Sequence, residues 1–495
     1  MRAQCDTMPS VPTDLERLNS VFDLAQRIGV GMLGAGAAAS EVSATVLRVV
    51  SASGIRSVAV QVTFDEVSLS YHPEGATTPI TRMRLSGPRV QDFARLAEYE
   101  VITERYIDGG VSLEAASEEV RRIARRGRIY PLWLITMGLA LMGGGAALGF
   151  GAGSLVVIVA TLSAGVLNLV IEYLLRWGIP LFYAQVASGL VGALGAVVAH
   201  SIDPSVNSSI VVVACIIIVL SGLTSIGAVQ DAVTGWYITA SARVLETIML
   251  TVGLVIGVRT GIVAANALGA DIAVTAQIPL SLSSVLVVTV SGLLVGLGYG
   301  VGTQVPARLL AHTALVAAGS SVIAHLASSV LDRLAAVGVA SMAVGVISVI
   351  AARRVHAPAL IFAMVGLIPL VPGSRIYRGL LAVGDDVITG VTELFAAAEI
   401  AIVIAAGAVF GQLVASRLLR PTSRAAAAFT PVIAAPFSTL RRRRLVDRPK
   451  RRRRRATATL EPSTMTGEMA AVAPHLLDLA SSGDPTQPEG KEGQR

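Results

Sequence analysis

Between Pro131 and Leu413 the chain is almost unbroken hydrocarbon, cut by short polar loops into a series of long apolar runs. About 20 residues at roughly 1.5 Å rise cross the hydrocarbon of a bilayer, and inside lipid a helix satisfies every one of its own backbone polar groups. Ten runs fit this pattern, at approximately 131–150, 154–175, 181–200, 209–227, 244–263, 281–302, 307–327, 334–352, 357–371 and 392–413. The chain therefore reads as a mainly α polytopic membrane protein with about ten transmembrane helices. Two places interrupt the hydrocarbon with polar or helix-breaking residues: Gln230-Asp231, and the run from Pro369 through Pro372 and Gly373 to Arg375.

Composition divides the chain of 495 residues into parts. Residues 1–128 have the make-up of a soluble domain, 129–264 and 265–420 form two apolar halves, and 421–495 is a basic tail poor in large apolar residues. Only 15% of the chain is charged, against about a quarter in ordinary globular proteins. Much of the net charge of +7 sits beside the apolar block, at Arg121 to Arg128, Arg441 to Arg444 and Lys450 to Arg455. Basic residues so placed favour anionic lipid headgroups over nucleic acid. Cys5 and Cys215 are too few for a disulfide framework or a cysteine metal site. No charged leader with an apolar core opens the chain, so no cleaved signal is expected.

Arginine placement sets the expected orientation, because positive residues are retained on the cytoplasmic side. With the N-terminus inside, Arg176, Arg243, Arg308, Arg353, Arg354 and Arg417 join the Arg121–Arg128 cluster inside, and only Arg259, Arg333, Arg375 and Arg378 lie outside. Both termini are expected in the cytoplasm, in the cell membrane of a multi-pass protein. Five spans followed by five would give halves of inverted topology, and polar interruptions at corresponding places in such halves are a transporter signature. Glycines at 143–145, 149–153 and 292–302 let helix backbones approach closely.

The N-terminal segment reads as α+β. Asp14 to Gly29 carries an apolar stripe at helical spacing, and a second helix follows from about Ser40 to Ser51. Ser57 to Tyr71 alternates like one half-buried strand, Thr81 to Leu85 is placed to pair with it, and helices near 88–106 and 112–126 complete the domain. The tail lacks periodicity and is expected to be mostly disordered.

The chain shows no Walker loop, no His-Glu-x-x-His, no Cys-x-x-Cys and no Gly-x-Ser-x-Gly, and its six histidines have no metal-ligand spacing. No enzyme, cofactor or metal is expected, and any transport would run on a gradient. Ionisable groups within membrane helices are costly, so they usually pair, line water or bind cargo. The first cluster holds Gln230, Asp231, Thr234, Arg243 and Glu246; Arg243 and Glu246 stand three apart and can satisfy each other, which leaves Asp231 without a local partner. In the second, Pro369 and Pro372 lack backbone donors and Gly373 permits a turn, so the ninth span ends or breaks there. Arg375 and Arg378 follow, and Glu399 lies about two turns inside the last apolar run.

These residues carry a resemblance. The run Gln230-Asp231-x-x-Thr234-Gly235 with Arg243-x-x-Glu246, the run Pro369-x-x-Pro372-Gly373 with Arg378-Gly379, and Arg27-Ile28-Gly29 followed by Gly34-Ala-Gly36 and Ser40-Glu41 resemble the threonine/serine exporter (ThrE-type) family of actinobacteria, over about residues 20–425. The resemblance implies export of small neutral amino acids, L-threonine and L-serine, driven by the proton gradient. A zwitterion with a hydroxyl needs a carboxylate for its ammonium and donors for its carboxylate. Asp231 would then serve the ammonium or the coupling proton, and the Pro369–Gly373 break with Arg375 or Arg378 the carboxylate. The partners expected are amino acid, protons and anionic lipid, without nucleic acid; a homo-oligomer is left open. A membrane scaffold or sensor, and a membrane hydrolase, are the competing classes.

Overall fold

A computed structural model of the protein describes residues 14–55, 58–73, 78–87, 89–220, 224–267, 282–382 and 386–419. The expected tail from 421 onward, with its arginine and lysine tracts, lies outside the described residues.

The N-terminal portion packs helices α1 (Asp14–Ala35), α2 (Ala39–Ala52), α3 (Phe93–Ile107) and α4 (Leu113–Arg125) with a three-stranded antiparallel sheet of order β1-β2-β3, made of Val58–Thr63, Glu66–Tyr71 and Ile80–Leu85. Phe22, Ile28, Val46, Leu69, Phe93 and Ile102 form its buried core. The single strand expected over Ser57–Tyr71 is two. Phe64-Asp65 make a two-residue hairpin turn, with Thr63 opposite Glu66 and Val60 opposite Leu69. The alternation itself changes phase there, from buried even positions (58, 60, 62) to buried odd ones (67, 69), as a reversal of the chain requires. Helix α3 starts later than expected because Asp92 caps it, accepting from the Arg95 amide at 2.9 Å.

Residues 132–418 form the helices α5 (Leu132–Gly149), α6 (Ser154–Arg176), α7 (Leu181–Ile202), α8 (Ser209–Leu220), α9 (Thr224–Val233), α10 (Tyr237–Ala267), α11 (Leu282–Gly302), α12 (Ala307–Ala327), α13 (Arg333–Val355), α14 (Ala359–Leu367), α15 (Gly373–Ala382) and α16 (Val387–Leu418). Among the described residues eight are long and apolar enough to cross a membrane, and α14 with α15 makes one more if the bent pair is a single span. The pair bends by 51° across a 3-10 turn at Ile368–Leu370, where Pro369 and Pro372 remove two backbone donors. The fourth expected span, 209–227, differs more. The short apolar helix α8 ends at Leu220, and the polar interruption Gln230-Asp231 lies in the last turn of a separate helix, α9.

Glycine governs how closely these helices pack. A Cβ on Gly257 of α10 would lie 1.9 Å from the carbonyl oxygen of Val186 on α7, and one on Gly298 of α11 would lie 2.3 Å from that of Gly138 on α5. Such contacts permit no side chain, so the small residues are there for backbone approach.

Candidate functional site

Two helix ends, about 200 residues apart in sequence, are built alike and meet. At the end of α9 the Gly235 amide donates to Ala232 at 3.1 Å and the Trp236 amide to Asp231 at 2.8 Å, with Gly235 at φ 92°. This is the six-to-one and five-to-two pair of a Schellman cap, which needs a left-handed residue. At the end of α1 the Gly36 amide donates to Leu33 at 3.2 Å and the Ala37 amide to Met32 at 2.9 Å, with Gly36 at φ 109°. Thr234 adds a hydroxyl bond to the Gln230 carbonyl at 2.9 Å. Gly235 and Gly36 thus allow the two reversals, and Thr234 with the Gln230 carbonyl braces the first.

The turn after α1 presents Ala37 and Ala39 to the turn after α9. Asp231 Oδ1 accepts the Ala39 amide at 2.9 Å, and Asp231 Oδ2 lies 2.8 Å from Arg243 Nη1. Arg243 also donates to the Ala37 carbonyl at 3.3 Å. Asp231 is 0% and Arg243 3% exposed, so the pair is sealed from water. A carboxylate at the first amide of α2 also meets the positive end of that helix. Gly227 makes room for the guanidinium, since a Cβ there would lie 2.7 Å from Arg243 Nη1.

The expected Arg243–Glu246 pairing is therefore corrected. Arg243 turns to Asp231 across the helix junction, and Glu246 pairs with Arg89 at 2.9 Å, whose guanidinium lies 3.9 Å from the centre of the Phe64 ring. Asp231, expected to lack a partner, has one that is itself buried. The N-terminal portion and the segment that follows it are tied to the helical block at further points: Thr239 donates to Val62 of the edge strand β1 at 3.0 Å, the Phe93 amide to Thr303 at 3.0 Å, Gln91 to the Tyr299 hydroxyl at 2.8 Å, and the Ile129 amide to Gln304 Oε1 at 2.9 Å. Sequence reading missed all of these. Ala37, Ala39 and Val62 contribute only backbone atoms, which carry no side-chain signature, and Gln304 is marked only by its left-handed φ of 59°.

Next to this junction the domain holds two recessed carboxyls. Burial raises Glu41 on α2 to about 7. Burial, reinforced by Glu41 and Glu104, raises Glu100 on α3 to about 8.

The second cluster does not join the first. Arg375 Nη1 lies 3.4 Å and Arg378 Nη2 4.0 Å from Glu393 Oε2 on α16, so both arginines face a protein carboxylate. Gly373 starts α15 against α8, where a Cβ would lie 2.5 Å from Ile217 Cγ1. Glu399 is exposed on α16 and has no ion pair or hydrogen bond among the described residues. Among those residues no group of histidine, cysteine, aspartate or glutamate is arranged to hold a metal.

The segments that meet at Asp231 are also those that relate the chain to known proteins. Residues 23–265 match the family described as "Putative threonine/serine exporter", and residues 289–414 match "Threonine/Serine exporter, ThrE". A protein of Mycobacterium tuberculosis named "Probable threonine/serine exporter" is 31% identical over 408 residues, 80% of this chain and 77% of that protein. The chain belongs to the threonine/serine exporter family. A second member, the "Threonine/serine exporter" of Corynebacterium glutamicum, is 29% identical over 416 residues, covering 83% of this chain and 85% of the other. No solved structure matches. Exporter-family membership and the long apolar helices make this a multi-pass membrane protein.

Proposed function

We propose that the protein is a secondary exporter of small neutral amino acids, L-threonine and L-serine, driven by the proton gradient across the cell membrane. The observation that carries this reading is similarity over four-fifths of the chain to two proteins named as threonine/serine exporters. Residues 1–128 form a cytoplasmic domain, and 129–264 and 265–420 two transmembrane halves. Two separate family matches, ending at 265 and starting at 289, support that division. Counting α8 with α9 and α14 with α15 as broken spans gives ten crossings, both termini in the cytoplasm, and inverted halves.

In this reading the Asp231–Arg243 pair is a latch that holds the N-terminal domain over the cytoplasmic mouth. Cargo has no access to Asp231 while α2 covers it. Protonation of Asp231 removes the charge that Arg243 and the α2 amide hold, and so loosens the latch; this gives the carboxylate its part in proton coupling. Glu399, an exposed carboxyl on an apolar helix, is the second proton-handling group. Arg375 and Arg378, held by Glu393, order the Pro369–Gly373 break rather than bind cargo directly. Counterflow of labelled L-threonine into proteoliposomes holding the purified chain tests the assignment. Exchange that unlabelled L-serine competes away is expected, and no exchange above empty liposomes would refute it.

A further inference from the structure

A cavity of about 200 Å³ lies where the Pro369 turn faces α5, α8, α11 and α12. Helix α14 has 9 residues, so at about 1.5 Å per residue the turn sits roughly 14 Å from the start of that helix, while His325 stands two residues before the end of α12 and Phe150 just past α5, so the cavity reaches from the turn to those helix ends. The polar lining is Ser291, Ser321 and His325, and Ile217 is among the apolar walls. Its chemistry is one-sided. Ser291 already donates its proton to the Gly145 carbonyl at 2.7 Å, and Ser321 to the Ala317 carbonyl at 3.0 Å, so each hydroxyl oxygen is left as an acceptor. His325 is steadied by Ser284, Nε2 to Oγ 3.1 Å, and supplies the one titratable group.

We propose that this cavity, and not the Asp231–Arg243 junction, is where a hydroxy amino acid sits during transport, a step that rests on the exporter reading. Acceptor oxygens suit a ligand rich in donors: one of Ser291 and Ser321 accepts from its hydroxyl and the other from its ammonium. The His325 ring faces the carboxylate, and the apolar wall at Ile217 takes a methyl group. A volume of about 200 Å³ admits threonine or serine. Acidic amino acids are excluded, because no lysine or arginine lines the cavity to meet a second carboxylate.

The test uses the full chain with Cys5→Ser, leaving buried Cys215 in place, and adds Ser321→Cys. A small cationic methanethiosulfonate should label Ser321→Cys, and L-threonine should slow that labelling at least tenfold while L-arginine does not. In counterflow, His325→Gln should raise the KM for L-threonine about tenfold or more with a smaller change in maximal rate. If the unmodified chain exchanges L-threonine, yet labelling is unprotected and the His325→Gln KM is unchanged, the cavity assignment is wrong and the exporter reading stands. If the unmodified chain exchanges neither amino acid, the exporter reading fails and the cavity assignment fails with it.

Discussion

Removing the charge of Asp231 should release the N-terminal domain from the helices. Breaking one partner of a buried ion pair costs about 3–5 kcal/mol, because the other charge is left uncompensated. Here both side chains are sealed, at 0% and 3% exposure. Asp231→Asn keeps an acceptor for the Ala39 amide, and Arg243 keeps the Ala37 carbonyl, so the lower end of that range applies; Asp231→Ala loses both interactions and belongs at the upper end. About 3 kcal/mol is roughly a hundredfold in an equilibrium, at about 1.4 kcal/mol per factor of ten. Hydrogen exchange at the start of α2, around Ala39, should therefore quicken on the order of a hundredfold in Asp231→Asn, while amides in the middle of α11 keep their rates. The double variant Asp231→Asn with Arg243→Gln buries no net charge and should recover most of the protection. Unchanged exchange in Asp231→Asn, or a double variant worse than the sum of the singles, would refute the latch.

Three further outcomes follow from the same geometry. Glu41 and Glu100 are raised from 4.5 to about 7 and about 8, so the folded domain holds more protons than the unfolded one between those values. Stability should then fall as pH rises from about 4.5 to about 8 and level off above, and Glu41→Gln should flatten the lower part of that decline; thermal unfolding across this range would show it, with Glu41 alone worth on the order of 3 kcal/mol at about 1.4 per unit. Gly257→Val should abolish the folded membrane protein, because its Cβ would lie 1.9 Å from the Val186 carbonyl; monodispersity in detergent is the readout, and normal elution would contradict the packing. Glu399→Gln should leave threonine counterflow intact while abolishing accumulation against a gradient, and unimpaired accumulation would remove Glu399 from proton handling.

The parts of this architecture that rest on periodicity and on missing donors were legible from sequence. Apolar runs located α5, α6, α7, α11, α12 and α13 to within a few residues, and Pro369 with Pro372 marked the bend. What was not legible depends on contacts between distant segments. Asp231 looked isolated because its partners are Arg243, on the far side of a helix cap, and the amide of Ala39, about 190 residues away. Thr234 looked chemical and is explained by its place in the Schellman cap, where its hydroxyl donates to the Gln230 carbonyl. Ser291, Ser321 and His325 were invisible as a group, since each is an ordinary residue on its own helix and only the packing around the Pro369 turn gathers them. The hairpin at Phe64-Asp65 was readable in principle, from the change of phase between Val62 and Val67.

The measurement closest to the central claim is efflux of preloaded labelled L-threonine and L-serine from cells expressing the chain or its Asp231→Asn variant at matched levels, with and without an uncoupler. Proton-coupled export predicts efflux well above empty-vector cells that collapses with the uncoupler and with Asp231→Asn. Efflux equal to empty-vector cells would contradict the cargo, and strong efflux indifferent to the uncoupler would contradict the proton drive.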